Sequence, residues 1–266
     1  EISEKSKQYE RMTATPIPKL VTSLSLPAVV NMLITTFYNL ADTFFVSQLG
    51  TQAAAAVGVV FSLQSIIQSI AFGFAMGGQT LISLYLGEKK NDEADKVISS
   101  SMAGMLVIIS IIFVLGLSYT NPLMRLLGAS ETVLPYAASY GRIIIIGAPF
   151  LGISVIISNC LKAQGLSLWS SIGMSCGAIL NIILDPLFIF TFNMGIAGAA
   201  WATILSQLIS CIVLIPMMFS KKSIVKFSFK KISLKLSTYG RIVSIGLPTF
   251  CRQGLGSLSS AVLNNQ

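Results

Sequence analysis

Two aspartates lie in apolar stretches of this sequence, where a charged side chain is costly. Asp185 stands near the end of the apolar run 177–190, and Asn181 precedes it by four residues. At 3.6 residues per turn the two side chains share one helix face. Asp42, the other acidic residue in an apolar run, follows Asn39 by three residues and shares a face with it. A carboxylate at membrane depth is costly, so both aspartates are candidates for a functional site.

A pair of buried carboxylates with hydroxyl and amide neighbours contains the groups that a proton or sodium site needs. Desolvation and mutual repulsion favour the protonated form of such a pair. A sodium ion would instead require several oxygen ligands. The alternative is that each aspartate caps or pairs locally and serves only the structure. The sequence has no His, and its cysteines at 160, 176, 211 and 251 lack CxxC spacing, so we expect neither a disulfide nor a zinc site.

The composition places these residues in a helical membrane protein. The 266 residues are 53% hydrophobic and 11% charged, whereas soluble domains are about 25% charged. Apolar runs of roughly 20 residues recur, and each is long enough to cross a bilayer as a helix. The net charge of +8 is concentrated between these runs, which favours a membrane-surface role over nucleic-acid binding.

Six complete apolar runs and the start of a seventh predict the organisation of the chain. We expect helices over about 20–46, 53–84, 97–119, 137–158, 168–190 and 195–218. The resulting prediction is a polar arm without a cleaved signal peptide (1–19), a six-helix lobe (20–218), a basic loop (219–241) and the start of a second lobe (242–266). We expect the basic loop to lie on anionic headgroups and the charged segment 87–96 to be a solvated connector.

Two patterns concern the helices themselves. Pro27 lies inside the first helix, where it removes a backbone hydrogen bond and favours a kink. Gly73 and Gly77 form a GxxxG motif that would let another helix approach the second one closely. A chance spacing in a glycine-rich helix is the alternative.

The distribution of Lys and Arg predicts the orientation. With the N-terminus inside, the inner segments contain fifteen of these residues and the outer segments two. The positive-inside rule therefore predicts a cytoplasmic N-terminus. In this topology Asp42 and Asp185 lie near the outer ends of their helices, and Tyr140 and Thr203 near the outer starts of theirs. We predict that all four share one layer in the outer half of the bilayer.

An internal repeat suggests a second lobe. The sequence Ser-Leu-Pro-Ala-Val at 25–29 is similar to Gly-Leu-Pro-Thr-Phe at 246–250, and each stands near the start of an apolar run. Repeated six-helix halves are a common plan among transporters. We therefore expect these residues to be the first half of a two-lobe protein. A natural seven-helix protein is the alternative.

Six short motifs resemble the multidrug and toxic compound extrusion (MATE) family, in particular the DNA-damage-inducible F-type branch of prokaryotic exporters. They are Leu-Pro (26–27), Tyr-Asn-Leu-Ala-Asp-Thr (38–43), Ala-Ala-Ala-Val-Gly (54–58), Leu-Lys-Ala-Gln-Gly (161–165), Leu-Asn-Ile-Ile-Leu-Asp-Pro (180–186) and Gly-Ala-Ala-Trp-Ala-Thr (198–203). Together they cover essentially the whole chain as an N-terminal lobe.

The resemblance implies an all-α, twelve-helix transporter with two pseudo-symmetric lobes around a central cavity, in a prokaryotic inner membrane. Such proteins export amphipathic, often cationic compounds in exchange for H+ or Na+. We expect no cofactor beyond this coupling ion, no nucleic-acid partner, contact with membrane lipids, and function as a monomer of the full-length chain.

The resemblance also implies a cation site in the N-terminal lobe. The matching positions are Asp42, Tyr140, Asn181, Asp185 and Thr203, and Na+ could bind among Asp42, Asn181, Asp185 and Thr203. Tyr38 and Asn39 are possible supporting polar residues. Pro27 matches the proline at which the first helix bends.

Two other functions compete with antiport. A lipid-linked oligosaccharide flippase of the same superfamily would need Arg and Lys in its cavity for pyrophosphate, whereas the apolar runs here contain two acids and almost no bases. A membrane-embedded enzyme could use paired carboxylates, but the sequence has no His, metal-ligand cluster or GxSxG motif. We therefore expect a transporter and not an enzyme.

Overall fold

The computed structural model describes residues 15–264, the last nine of them by their backbone alone. This part of the chain contains no strand. Its helices are α1 (Ile17–Ser47), α2 (Thr51–Gly87), α3 (Asn91–Ser118), the short α4 (Thr120–Leu126), α5 (Leu134–Ala163), α6 (Ser167–Pro186), α7 (Ile196–Met218) and α8 (Leu236–Asn264). Six of them, α1 to α3 and α5 to α7, are long and apolar enough to cross a membrane, α6 together with the turn that follows it. The prediction of an all-α, multi-pass membrane protein is confirmed.

Most helices extend beyond their predicted bounds. The largest differences are at α3, which begins at Asn91, about six residues before the apolar run, and at α8, which begins at Leu236, so the predicted loop 219–241 is too long by six residues. The prediction that 87–96 is a solvated connector is therefore wrong for its second half. Asp92 and Glu93 lie in the first turn of α3, where negative side chains interact favourably with the helix dipole. Polar residues can thus begin a helix that an apolar pattern alone does not include.

Helix α5 forms the buried centre of the bundle. A Cβ on Gly147 would collide with Ile204 of α7, and one on Gly152 with Met105 of α3, so both glycines permit close packing. Helix α1 instead lies at the edge, mainly against α6, and none of its most apolar 18-residue window is buried. The bundle therefore combines a tightly packed centre with a lightly packed first helix.

Helix α8 packs along α2 through glycines. A Cβ on Gly77 would collide with the backbone carbonyl of Ile242, and a Cβ on Gly246 with that of Gly73. The two backbones can approach this closely only because the side chains are absent. The GxxxG motif therefore acts as a helix-packing motif, as predicted, and its partner is α8.

The segment between α7 and α8 crosses one end of the bundle. It begins with turns within 219–222 and contains one 3-10 turn at Phe229–Lys231, and the residues on either side of that 3-10 turn, Ser228 and Ile232, are extended. Ser223, Ile224 and Val225 are buried, although they belong to the most basic segment of the chain. The expectation of a loop lying on headgroups is therefore wrong for these three residues, because they pack against protein.

Candidate functional site

The structure brings most of the candidate residues together at the end of the bundle opposite the α7–α8 segment. Asn181 and Asp185 lie one turn apart on the buried face of α6, Tyr140 projects from α5, and Thr203 lies near the start of α7. Each is at most 3% exposed. We refer to these four residues, together with Asp42 and Tyr38 of α1, as the polar cluster.

Asn181 links Asp185 to α7. In the amide orientation that satisfies both ends of the side chain, Nδ2 donates to Asp185 Oδ2 at 2.9 Å, and Oδ1 accepts from the Thr203 backbone N–H at 3.2 Å. The choice between amide orientations follows from the hydrogen-bond network. With both ends of the amide engaged, Asn181 holds the Asp185 carboxylate in a fixed position beside α7.

Asp42 completes the carboxylate pair from α1. Its carboxylate interacts electrostatically with Asp185 and with the hydroxyls of Tyr38 and Tyr140. Although Asp42 is only partly buried as a residue, its Oδ1 is fully buried and has no hydrogen-bond partner among the described residues. Leaving such an atom unsatisfied costs about 1–3 kcal/mol or more. A proton or a cation at this oxygen would remove that cost.

Two tyrosines lie beside Thr203, and a glutamine lies beside one of them. Tyr38 and Tyr140 both interact with the Thr203 side chain, and Tyr38 also interacts with Gln64 of α2. Sequence reasoning did not identify Gln64. Because α2 contains other glutamines at Gln68 and Gln79, nothing in the sequence distinguishes the one that reaches the cluster.

The oxygen atoms in this cluster suit a proton or a hard cation. Carboxylate, amide, hydroxyl and phenol oxygens converge from four helices, and the described contacts include no sulfur or imidazole ligand. Hard cations are bound by oxygen ligands of these kinds. The residues present therefore fit the expectation of an H+ or Na+ site.

Comparison with known proteins identifies the family. A family model described as MatE matches residues 27–187, which is more than half of the chain. The chain belongs to the MatE family. The match contains both aspartates of the polar cluster, and it confirms the resemblance found in the sequence motifs.

Individual MATE relatives and structures agree with this result. The chain is 30% identical over 261 residues to a protein named FAD transporter from Shewanella oneidensis, covering 97% of this chain and 58% of that protein. It is 26% identical over 261 residues to the multidrug export protein MepA of Staphylococcus aureus, covering 98% and 58%. A structure described as the inward-facing conformation of a multidrug resistance MATE family transporter of the MOP superfamily matches with a TM-score of 0.83 and 30% identity, covering 92% and 56%. The chain thus spans a little over half the length of these relatives.

Asn39 does not join the polar cluster of this MATE chain. Its side chain is exposed, and its backbone carbonyl accepts a hydrogen bond from the Thr43 hydroxyl at 2.8 Å. Among the described contacts, none connects the Asn39 side chain to Asp42. A separation of three residues leaves two side chains about 60° apart around a helix, which is enough to separate a buried edge from an exposed one.

Helix α1 continues through Pro27 without interruption and is fastened to α6 on both sides of it. On one side, the Ser167 hydroxyl donates to the backbone carbonyl of Leu24 at 2.8 Å. On the other, the Ser175 hydroxyl donates to Asn31 Oδ1 at 3.0 Å. A proline within a helix weakens its internal hydrogen bonding. These two contacts therefore attach α1 to α6 at the place where α1 bends most easily.

Proposed function

We propose that the full-length protein is a cation-coupled antiporter that uses H+ or Na+ to export amphipathic, often cationic compounds by alternating access. The observation that carries this proposal is the buried Asp42–Asp185 pair, in which Asp42 Oδ1 has no protein partner among the described residues. The name of the MepA relative supports export of small molecules. Antiport needs no covalent step, so we propose no enzymatic activity for this protein.

The membrane arrangement is part of the proposal. We place the chain in the inner membrane with a cytoplasmic N-terminus, because the basic residues are concentrated at one end of the bundle. The arm at 1–19, of which the structure describes only residues 15–19, and the α7–α8 segment would then face the cytoplasm. The polar cluster would lie in the outer half of the bilayer. The six-helix lobe 20–218 would pair with a second lobe that begins with α8 at Leu236, and the full-length chain would act as a monomer among membrane lipids.

The coupling mechanism follows from charge in the polar cluster. With both carboxylates ionised, Asp42 and Asp185 repel each other and favour separation of α1 from α6. Binding of a proton or Na+ cancels this repulsion and favours the arrangement in which α1 approaches α6. Because α1 is lightly packed, such a change costs little elsewhere in the bundle. A cation can drive the transition only through its different affinity for the two arrangements.

Proton and sodium coupling would use different residues. A proton needs only one carboxylate, and Asp42 is the candidate because its buried oxygen lacks a partner among the described residues. Sodium would need further oxygen ligands from Asn181, Asp185 and Thr203. The amide oxygen of Asn181 already accepts from the Thr203 backbone N–H, so sodium coupling would require this contact to be shared or rearranged.

A second candidate substrate comes from the relative named FAD transporter. FAD is anionic, and its pyrophosphate would favour basic side chains in the transport path. The charged groups that the described helices bury near Thr203 are the acids of the polar cluster. We therefore favour cationic substrates, with an anionic dinucleotide as the alternative.

Efflux by the full-length protein tests this function. Ethidium efflux would be measured in proteoliposomes under separately imposed Na+ and pH gradients, for the wild type and for Asp185→Asn. Glu131→Gln is the matched control because it makes the same carboxylate-to-amide change at an exposed loop position. We expect efflux to follow one gradient, to be lost in Asp185→Asn and to persist in the control. Efflux indifferent to both gradients and to the mutation would show that the carboxylates are structural.

A further inference from the structure

Gln164, in the turn between α5 and α6, binds the segment that leads to α8. Its Oε1 accepts hydrogen bonds from the backbone N–H groups of Ile224 at 2.6 Å and Val225 at 3.1 Å, and from the Ser223 hydroxyl at 3.0 Å. Its Nε2 donates to the Cys160 carbonyl at 3.2 Å. Gln164 is 1% exposed, and Ser223 and Val225 are fully buried. Gln164 therefore binds this segment through buried hydrogen bonds and not through a contact at the protein surface.

The first turns of α3 provide a second attachment. Three side chains there accept hydrogen bonds from backbone N–H groups of the same segment: Asp95 from Lys226 at 2.8 Å, Ser99 from Ser228 at 3.1 Å and Ser100 from Ser233 at 3.0 Å. An extended segment has no neighbours within its own secondary structure to satisfy these groups. Side-chain oxygens of α3 therefore act as the hydrogen-bond acceptors that backbone carbonyls would provide in a sheet.

Lys231 adds an ion pair to this attachment. Its Nζ lies 2.8 Å from Asp92 Oδ1 and 2.7 Å from Asp95 Oδ2. Hydrogen bonds to Asp92 and then Asp95 raise the pKa of the Lys231 ammonium above its ordinary value. Within 221–241, all of which the structure describes, Lys231 is the basic residue that forms a salt bridge. Of the seven basic residues in 221–241, Lys231 is therefore the one that lies against the acidic side chains of α3.

The attachment stops immediately before α8. Ser233 is the last residue whose backbone N–H binds α3, whereas Leu234 is 98% exposed and Leu236, the first residue of α8, is 84% exposed. The bonds that continue from here are local, such as Ser233 Oγ to Thr238 Oγ1 at 2.9 Å. The link between the attached segment and the next helix is therefore two or three residues long.

We propose that residues 223–233, which we call the strap, remain attached to the six-helix bundle throughout transport, and that α8 pivots about residues 234–236. Gln164 and Asp95 are then positioning residues that fix the pivot. This inference rests on the proposed function, because it concerns how a second lobe would move. A free linker over residues 219–235 would span on the order of 20 Å, whereas three residues reach at most ~10 Å. The strap therefore restricts α8 to a short arc over the glycine contact with α2.

Paired cysteines on the two sides of the pivot test the strap in the full-length protein, after its native cysteines are replaced. Ser99→Cys with Ser228→Cys joins the strap to α3 at the place where the Ser228 backbone N–H donates to Ser99 Oγ at 3.1 Å. Tyr85→Cys with Arg241→Cys joins α2 to α8, where Tyr85 Oη accepts from Arg241 at 3.1 Å. A cleavable bis-thiosulfonate closes the second pair, because both native side chains are long. Cross-linking yield is measured with and without Na+ and at low and high pH, and ethidium transport before and after reduction.

We expect the strap pair to cross-link fully under every condition and to transport as fast as its reduced form. The α2–α8 pair should lose transport when cross-linked and regain it on reduction. A strap pair that cross-links only under some conditions, or that stops transport until it is reduced, would overturn the proposal. If the reduced protein does not transport ethidium under either gradient while the strap pair still cross-links everywhere, the proposed function fails and the permanent attachment stands.

A second variant separates positioning from general stability. Gln164→Leu removes the acceptor that holds the strap, whereas Gln164→Glu keeps an oxygen at that place. We expect Gln164→Leu to lower kcat for efflux without changing KM, since the residue lies far from the polar cluster, and Gln164→Glu to restore part of the loss. Trypsin should also cleave the strap faster in Gln164→Leu, while Lys89→Ala, at an exposed loop position, should change neither readout. Unchanged kcat and unchanged cleavage in Gln164→Leu would contradict the proposal.

Discussion

The polar cluster and the strap attachment are two buried polar networks at opposite ends of the same bundle, and they differ in completeness. At the strap, Gln164 Oε1 satisfies three donors, and Asp95 is engaged by both a backbone N–H and Lys231. In the polar cluster, Asp42 Oδ1 remains without a partner among the described residues. Satisfied networks make a structure rigid, and incomplete ones are costly. The strap network therefore holds a fixed geometry, whereas the polar cluster leaves one carboxylate oxygen unsatisfied, as the proposed exchange of a proton or Na+ would require.

The helices around the strap attachment are also more closely packed than the helix that carries Asp42. The strap attaches to α3 and to the end of α5, the helix at the buried centre of the bundle. Asp42 instead comes from α1, whose apolar window is not buried. In the proposed mechanism, a cation that alters the charge of Asp42 therefore acts on the helix whose apolar window is least buried. The strap is instead attached to helices that are themselves partly or largely buried.

The largest expected effect is at Asp42, where a substitution should remove transport activity without lowering the stability of the protein. Asp42→Asn should abolish cation-coupled efflux and leave the thermal unfolding temperature of the purified protein unchanged or higher. The physical reason is that the amide has no charge to desolvate and no repulsion with Asp185, both of which oppose an ionised carboxylate at this position. Efflux and thermal unfolding would be measured on the same preparation. A clear loss of stability would show that Asp42 is a structural residue.

At the strap we expect the opposite result, a loss of local stability without a change in the ion dependence of efflux. Asp95→Ala leaves the Lys226 N–H without its acceptor and weakens the hold on Lys231, so we expect a loss of about 1–3 kcal/mol in local stability. Trypsin cleavage after Lys226 or Lys230 should become faster, while the dependence of efflux on the coupling ion keeps its form. Asp92→Ala is the matched control, because the Asp92 side chain is 86% exposed and, among the described residues, accepts a hydrogen bond from the Lys231 side chain but from no backbone N–H of the strap. An altered ion dependence in Asp95→Ala would contradict the distinction between the two networks.

The sequence predicted the polar cluster better than the strap, for a physical reason. Asn181 and Asp185 are four residues apart in an apolar run, and helical periodicity alone places them on one face. Helix direction predicted that Tyr140 and Thr203 lie in the same layer, and the structure brings both to the cluster. Polar side chains in an apolar run are conspicuous. Gln64 was missed because α2 contains several glutamines with no pattern among them.

The strap was not predictable because its contacts use backbone N–H groups, which every residue except proline has. The run Ser99-Ser-Ser101 on α3 gives no indication that two of its hydroxyls accept hydrogen bonds from a segment more than a hundred residues away. The excess of Lys in 221–241 predicted a membrane-surface loop and concealed the short buried run 223–225. The first turn of α3 was missed for a related reason, since its polar composition is also typical of a connector.

The smallest effect is expected from the Lys231 ion pair. Measuring it separates the contribution of charge to the strap attachment from that of the backbone hydrogen bonds. Asp92 is largely exposed and Lys231 is partly exposed, and ion pairs between exposed groups contribute little to stability. Because the pKa of Lys231 is raised, its stabilisation is complete below the ordinary lysine pKa and is lost only as pH rises through the raised value. Trypsin cleavage of the strap, corrected with a reference substrate, should therefore stay constant across neutral and mildly alkaline pH.

The matched variant for this last prediction is Lys231→Met, which keeps most of the length of the side chain and removes its charge. We expect Lys231→Met to accelerate cleavage after Lys226 only slightly, and less than Asp95→Ala does. High salt should change the wild type by a similar small amount, because it screens the same exposed pair. If Lys231→Met released the strap as fully as Asp95→Ala, the ion pair would be the main attachment. The hydrogen bonds from the strap backbone to α3 would then contribute little.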